Sequence, residues 1–254
     1  MDPYLPVRTV EVLAENEIPT GLLRPEIQVD GIWKPIEKVS FSTSYNLLTN
    51  ERVREIGDRF ANRNNYTRVK EYFNGKRFTL AYMSDVVKEE TESGTIRPGI
   101  MFQNSYDKSH AFRVQALALV EVCKNGMTSN KWFDFHKFKH NGNLDENLEK
   151  MEEEMDHVAS INGDTNDRFR EFCNAMLPVS KMGVTKNNLS KLRNSTPYLT
   201  ANNFGKIMDL YLKRNNDSMW ELLNAGTEHY WHNQSNLDSN RLWVDAFIGL
   251  AANA

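Results

Sequence analysis

The stretch Ala111–Val122, AFRVQALALVEV, constrains the fold of this chain more than any other. In an extended chain Phe112, Val114, Ala116, Ala118, Val120 and Val122 share one face, and Arg113, Gln115, Leu117, Leu119 and Glu121 share the other. A strand that is polar at its ends and apolar on both faces in its middle belongs inside a sheet. The Ala-rich run also suits a helix, which stands as the competing reading. Ile100–Gln103 forms a second apolar run, and Asn104-Ser105-Tyr106-Asp107-Lys108-Ser109 between the two is built of turn formers. Pro98–Met127 thus reads as a β-hairpin followed by a second polar turn at Asn125-Gly126.

The chain around this hairpin changes character along its length. The first 40 residues contain Pro3, Pro6, Pro19, Pro25 and Pro35 with Gly21 and Gly31, a turn-punctuated extended chain. Short strands fit Thr9–Leu13 and Glu26–Val29, with a tight turn at Asp30-Gly31. Thr49 can cap a helix that carries Val53, Ile56 and Phe60 to about Asn62. Arg52 occupies the position where a capping box has an acid. Lys76–Tyr82 alternates as a half-buried strand, and Glu89–Gly94 reads as a polar loop. From Leu144 the periodicity is helical. One acidic helix runs through Leu144, Leu148, Met151, Met155 and Val158. A second runs through Phe169, Phe172, Cys173 and Met176 and ends at Pro178. Three more carry Phe204–Leu212, Trp220–Trp231 and Leu242–Ala251. Strands first and helices after predict an α+β fold, with a mostly antiparallel N-terminal sheet and one helix, and a helical C-terminal half packed against it. The boundary falls at residues 142/143, within one continuous globular domain.

Composition excludes several function classes. No apolar run approaches the roughly 20 residues that cross a bilayer. The sequence MDPYLPVRTVEV lacks the basic-then-apolar pattern of a signal peptide, which leads to the expectation of a cytoplasmic protein. Cys123 and Cys173 stand fifty residues apart and outside any CxxC pair, which argues against a disulfide framework or a zinc ribbon and for two buried thiols. A net charge of −3 gives no global nucleic-acid signature, but the charge is segregated. Residues 51–88 and 181–214 are basic in balance, while 143–157 and 215–254 are acidic. Such blocks either form opposed faces or pair with one another in the fold.

Four constellations can carry function. Asn104, Ser105, Asp107, Ser109 and His110 hold the residue types of a hydrolytic triad, but as neighbours on a turn they suit Asx-type bonding better. In Lys131–His140, KWFDFHKFKH, aromatics interleave with lysines, the composition with which single-strand binders stack bases and hold phosphates. At helical spacing Trp132, Phe135 and Phe138 would instead share a core face, and His136 and His140 would sit four apart on one side with no third metal ligand in view. Trp220–His232 aligns Trp220, Asn224, Thr227 and Trp231 on one helical stripe and Glu228 with His232 on the next, either an acid/base pair or a support for the core. Lys181, Lys186, Lys191, Arg193, Lys206, Lys213 and Arg214 can track a phosphate backbone or form a solvated face.

Three segments together resemble the phage/plasmid-like protein family known as domain of unknown function 932. These are the hairpin turn Asn104-Ser105-Tyr106-Asp107-Lys108-Ser109 with its later Cys123-Lys124-Asn125-Gly126-Met127, the element WELLNAGTEHYWH from Trp220 to His232, and the terminal DAFIGLAANA. The order agrees across most of Tyr45–Ala254. Lys108 departs from the family's usual glycine, which implies a different turn, such as a longer type I loop, and a poorer fit to a ligand close to the backbone. His229 likewise replaces a more usual aromatic. The resemblance implies a phage or plasmid setting more than a mechanism.

The expected function is therefore non-catalytic nucleic-acid binding, single-stranded DNA above all, in viral or plasmid replication, annealing or recombination. Arg113, Lys131, Trp132, Lys137, Lys186, Lys191 and Arg193 are the expected contact residues. No catalytic residue, cofactor, metal or membrane partner is expected, and homo-oligomerisation stays open. Two other readings compete. One is a small nucleic-acid-processing enzyme using Asp107, His110, Glu228 and His232. The other is a host-interaction protein whose acidic 143–157 helix meets a basic partner.

Overall fold

The computed structural model describes residues 1–252 except 15–16, 37–38, 92–93, 122–124, 130–132, 134, 139, 141–142, 215–216 and 234–236. For residues 135, 144–145, 154, 156–166, 233 and 237–238 it describes the backbone alone. Antiparallel sheets occupy the N-terminal half and helices mainly the C-terminal half, the α+β arrangement that the order of patterns implies. The chain divides into two compact units, each drawn from three separate stretches. One comprises residues 1–83, 100–115 and 135–159, and the other 84–99, 116–134 and 160–254.

The first sheet holds β1 (Val7–Leu13), β2 (Pro19–Val29), β3 (Ile32–Pro35) and β4 (Phe41–Ser42). Its order is β1-β2-β3, with β4 also paired to β2. Asp30 and Gly31 both adopt positive φ, 54° and 77°, between the paired residues Val29 and Ile32. That two-residue turn matches the right-handed twist of its strands, and Gly31 and Asp30 are residue types that tolerate it.

Helix α1 (Asn50–Asn64) follows. Thr49 caps it, its hydroxyl accepting from Arg52 N at 3.2 Å. Asn65 ends it in the left-handed region, with its N–H donating to Ala61 O. Val53, Ile56, Phe60 and Ala61 form the buried stripe. Gly57 leaves room for Tyr82, whose hydroxyl a Cβ would meet at 2.7 Å and whose ring it would meet at 2.8 Å, and the Tyr82 hydroxyl donates to Asp58 at 2.7 Å.

The second sheet contains β5 (Tyr66–Phe73), β6 (Arg77–Ser84), β7 (Glu89–Thr91), β8 (Gly94–Ser105), β9 (Phe112–Val120), β10 (Gly126–Met127) and β11 (Phe135–Phe138). Its order is β10-β9-β8-β6-β5, with β11 on β9 and β7 on β8. β9 thus has neighbours on both sides, and Phe112, Val114 and Ala116–Val120 are buried. Strand wins over helix here because β8 on one side and β10 and β11 on the other offer partners to its backbone groups.

The helices that follow are α2 (Leu144–Lys181), α3 (Lys186–Ser195), α4 (Ala201–Leu212), α5 (Met219–Asn233) and α6 (Leu237–Ala252). In the second unit Phe133 meets Phe172 at 4.9 Å and Trp243 meets Phe247 at 4.9 Å. Trp231 and Trp243 are fully buried there.

Four local expectations are corrected. The residues expected to form two helices belong to one, α2, which passes through Pro178 to Lys181. The proline removes one hydrogen bond within the last turn, and the buried Met176 and Val179 beside it keep the helix going. Part of the expected loop Glu89–Gly94 pairs as β7 with β8. Phe135–Phe138 is a strand rather than a helix, so His136 and His140 do not share a helical face. Lys108 keeps φ at 60°, so the turn retains the left-handed residue that glycine would supply. Cys173 is a buried thiol pushed up to about 12 by burial and by Glu89, and Cys123 lies outside the described residues.

The charge blocks pair within each unit. Arg59 of α1 bonds Glu152 of the acidic helix. Arg214 bridges Glu221 at 2.7 Å and also reaches Glu228. Glu228 thereby has a structural partner in the second unit, whereas Asp107 and His110 belong to the first.

Candidate nucleic-acid interface

The turn between β8 and β9 spends most of its polar groups on its own shape. Asn104 Nδ2 donates to Leu48 O at 2.8 Å and to Asn50 Oδ1 at 3.1 Å. The Tyr106 hydroxyl accepts from Asn50 N at 2.8 Å. That N–H is one of the four at the start of α1 that no helical carbonyl can reach. Ser105 Oγ donates to His110 O at 2.8 Å and accepts from His110 N at 3.1 Å, closing the loop. Asp107 Oδ1 accepts from Ser109 N at 3.0 Å, and Arg77 donates to the Ser109 hydroxyl at 2.8 Å. Burial works to raise the Asp107 carboxyl, but the Ser109 hydrogen bonds and the Arg77 and Lys76 charges hold it below its usual range. Ser105, Asp107 and Ser109 are thus the bonding atoms of a turn.

What the turn presents is Lys108. Its left-handed backbone sets the ammonium 5.1 Å from the centre of the Phe41 ring. Phe41 stacks on Tyr45 at 3.8 Å, and Tyr45 stacks on His140 at 5.0 Å. Ser42, Ser44, Tyr45, Lys108, His110, Ala111 and His140 line a cleft of about 300 Å³. Among the described residues, no Asp or Glu belongs to that lining.

The two histidines have definable tautomers. The Phe112 N–H donates to His140 Nε2 at 3.2 Å, so the neutral ring carries its hydrogen on Nδ1. Burial lowers the pKa of His140, with Asn46 backbone pulling the other way. Arg113 Nη2 lies 3.3 Å from His110 Nδ1. A guanidinium only donates, so Nδ1 accepts and His110 keeps its hydrogen on Nε2. Burial, and then the Asp107 charge, push the Tyr45 hydroxyl above its ordinary value, so it too remains a donor.

Of the expected contact residues the structure brings two together. Lys137 of β11 stands directly opposite Arg113 of β9 in the antiparallel register, which puts both side chains on one face. Lys137 is exposed and Arg113 half-buried. Lys131 and Trp132 lie outside the described residues. Lys186, Lys191 and Arg193 are exposed on α3 in the other unit. Lys186 and Arg193 share a helical face two turns apart, and Lys191 points elsewhere. Sequence reading missed Ser42, Ser44, Tyr45 and Lys108 as a group. The available signals were the Ser-Thr-Ser-Tyr run and a lysine where glycine is usual.

The cost of holding lysine at φ 60° is separable from the role of its charge. Lys108→Ala keeps the left-handed Cβ and loses the ammonium, whereas Lys108→Gly loses both. The glycine variant is expected to be more stable than the alanine variant by about 1 kcal/mol. Thermal melts followed by circular dichroism should separate the two by about 2–4 °C. Equal melting would mean the turn relaxes to negative φ.

No curated protein and no solved structure is significantly similar to the chain. Residues 39–245 match the family described as Domain of unknown function (DUF932), a span that runs from β4 into α6 and includes every described residue lining the cleft. The chain belongs to that family.

Proposed function

We propose that this protein binds single-stranded nucleic acid at the β8–β9 hairpin end of its first unit, as a non-catalytic cytoplasmic factor in phage or plasmid replication or recombination. The observation that carries the reading is the cross-strand pair Arg113 and Lys137, joined through the Arg113–His110 bond to the cleft that Lys108 lines. Two cations on one sheet face can neutralise neighbouring phosphates, and phosphate contacts supply most sequence-independent affinity. A single strand fits better than a duplex because it can bend a phosphate into a concave cleft, whereas a duplex is stiff over this length. The enzyme reading has less support: Asp107 serves the turn and Glu228 serves an ion pair in the other unit.

Fluorescence anisotropy with labelled single- and double-stranded oligonucleotides, across 50 to 300 mM salt, tests this. The single strand is expected to bind more tightly, with log K falling against log salt by about 0.7 for each phosphate contact. Absent binding, or binding that ignores salt, would remove the proposal.

A further inference from the structure

We infer that the cleft at the hairpin tip is a subsite for a phosphate monoester, the phosphorylated end of a strand or of a mononucleotide. The nucleic-acid reading above is needed only for the strand attached to that phosphate.

Three observations lead there. The first is an inventory of donors. Lys108, Ser42, Ser44, Tyr45, His110 and His140 all belong to the lining, and each side chain carries a donor. Ser42 Oγ and Ser44 Oγ lie 2.9 Å apart, so one of the two hydrogens stays available. The nearest charged neighbour of opposite sign in the chain, Asp107, is engaged by Ser109 and faces the charges of Arg77 and Lys76. The described lining is therefore rich in donors and contains no carboxylate.

The second is His140. It is 8% exposed, and among the described residues its Nδ1 makes no hydrogen bond of good geometry. Because Phe112 N–H occupies Nε2, this Nδ1 carries a hydrogen. The Asn46 backbone is its protein neighbour and raises the ring's pKa, but it leaves this buried donor weakly satisfied. An anionic oxygen in the cleft that His140 lines supplies a stronger acceptor.

The third is what the aromatic rings cannot do. Tyr45 has Phe41 on one face and His140 on the other. No open face of Tyr45 remains for a base, so the cleft offers edges and donors rather than a stacking platform. The group that suits such a place is small, anionic and rich in acceptors. A phosphodiester inside a strand presents two free oxygens and one charge. A monoester presents three oxygens and nearly two charges, which better matches a concave lining with donors from three chain segments. The strained Lys108 backbone holds the ammonium at this lining in advance of binding, and strain of that kind gathers at ligand clamps.

The test uses the full chain and one oligonucleotide sequence in three forms: 5′-phosphorylated, 3′-phosphorylated, and hydroxyl at both ends. A nucleoside monophosphate and inorganic phosphate serve as separate probes. One phosphorylated end should bind about ten-fold more tightly than the hydroxyl-ended strand. In Lys108→Gly that ratio should fall to about one. In ¹H–¹⁵N spectra the His140 Nδ1–H resonance should move downfield when the monophosphate is added, a shift that a purely structural histidine would not show. Equal affinity for all three strands overturns the subsite while leaving strand binding in place. A preference that survives in Lys108→Gly places the phosphate elsewhere and also overturns it. Binding of the monophosphate with none of the strands would instead end the strand-binding reading and keep the cleft. Binding of no probe ends both.

Discussion

Gly226→Ala should destabilise the chain by about 2–4 kcal/mol, even though the same change inside most helices adds stability. A mid-helix glycine costs about 1 kcal/mol relative to alanine, so the helix itself would gain. The tertiary setting reverses the sign. A Cβ on Gly226 would stand 2.2 Å from Cε2 and Nε1 of Trp243 and 2.6 Å from its Cζ2. The indole cannot retreat easily: Trp243 is fully buried, and its Nε1 donates to Leu223 O at 3.1 Å one turn earlier on α5. Phe247 and Tyr230 also pack against it, with ring centres 4.9 and 6.3 Å away. Overpacking a fixed aromatic forces either a lost hydrogen bond or a shift of α6 from α5, and such insertions cost about 1–3 kcal/mol or more. The melting temperature should fall by about 5–15 °C. Gly205→Ala on α4 is the matched comparison, since nothing lies within 4 Å of its Cβ position. That variant should hold or gain up to about 1 kcal/mol. A Gly226→Ala protein as stable as the unaltered chain would mean that Trp243 has a second rotamer and that α5 and α6 do not depend on this contact. Gly126 repeats the logic on β10, where a Cβ would meet the Trp231 ring at 2.5 Å.

These glycines show where sequence stops informing structure. The Trp220–Trp231 periodicity announced a buried helical stripe, and Trp220, Asn224, Thr227 and Trp231 are all buried. Nothing in that pattern said that Gly126 and Gly226 exist to admit indoles from elsewhere in the chain. Local chemistry was legible where the cause was local. The Thr49 cap and the Asp30-Gly31 turn depend on hydrogen bonds and φ angles within a few residues. β5 was not legible because it ends its sheet and buries only Phe73, so no alternation marks it. β11 was left open because aromatics three apart also suit a helix, while the pairing that makes it a strand comes from β9, some twenty residues earlier. The cleft was invisible for the same reason on a larger scale. Its lining comes from residues 42–45, 108–111 and 140, and no periodicity connects them. Only Arg113 and Lys137 were singled out in advance and then found side by side, because the lysine-rich run and the hairpin's polar end are both surface signals.

That pair carries the largest expected loss of binding. Lys137→Glu should weaken single-strand binding by about ten-fold near 100 mM salt, since it removes one attraction and adds one repulsion at an exposed strand position. Adding Arg113→Glu should extend the loss to about a hundred-fold or more. Neutral substitutions separate charge from repulsion: Lys137→Ala should lower the salt slope by about 0.7, the contribution of one phosphate contact. Arg113 needs a second measurement because its guanidinium also fixes the His110 tautomer. Arg113→Lys keeps the charge and loses the planar fork, so it should retain most of the salt slope while altering the His110 ring resonances. Melting curves for each variant distinguish lost contact from lost fold, and Lys137, being exposed, should leave the melt unchanged within about 0.5 kcal/mol. The opposing experiment is charge reversal on α3 at Lys186, Lys191 and Arg193 together. Those side chains are exposed but stand in the other unit, on a helix whose one buried residue is Leu192. If the α3 triple reversal abolishes binding and the β9–β11 pair does not matter, the strand is held by the helical unit. If the β9–β11 reversal dominates, the cations beside the hairpin are the contact surface, because α3 would then be a solvated basic face whose charge affects only the rate of encounter.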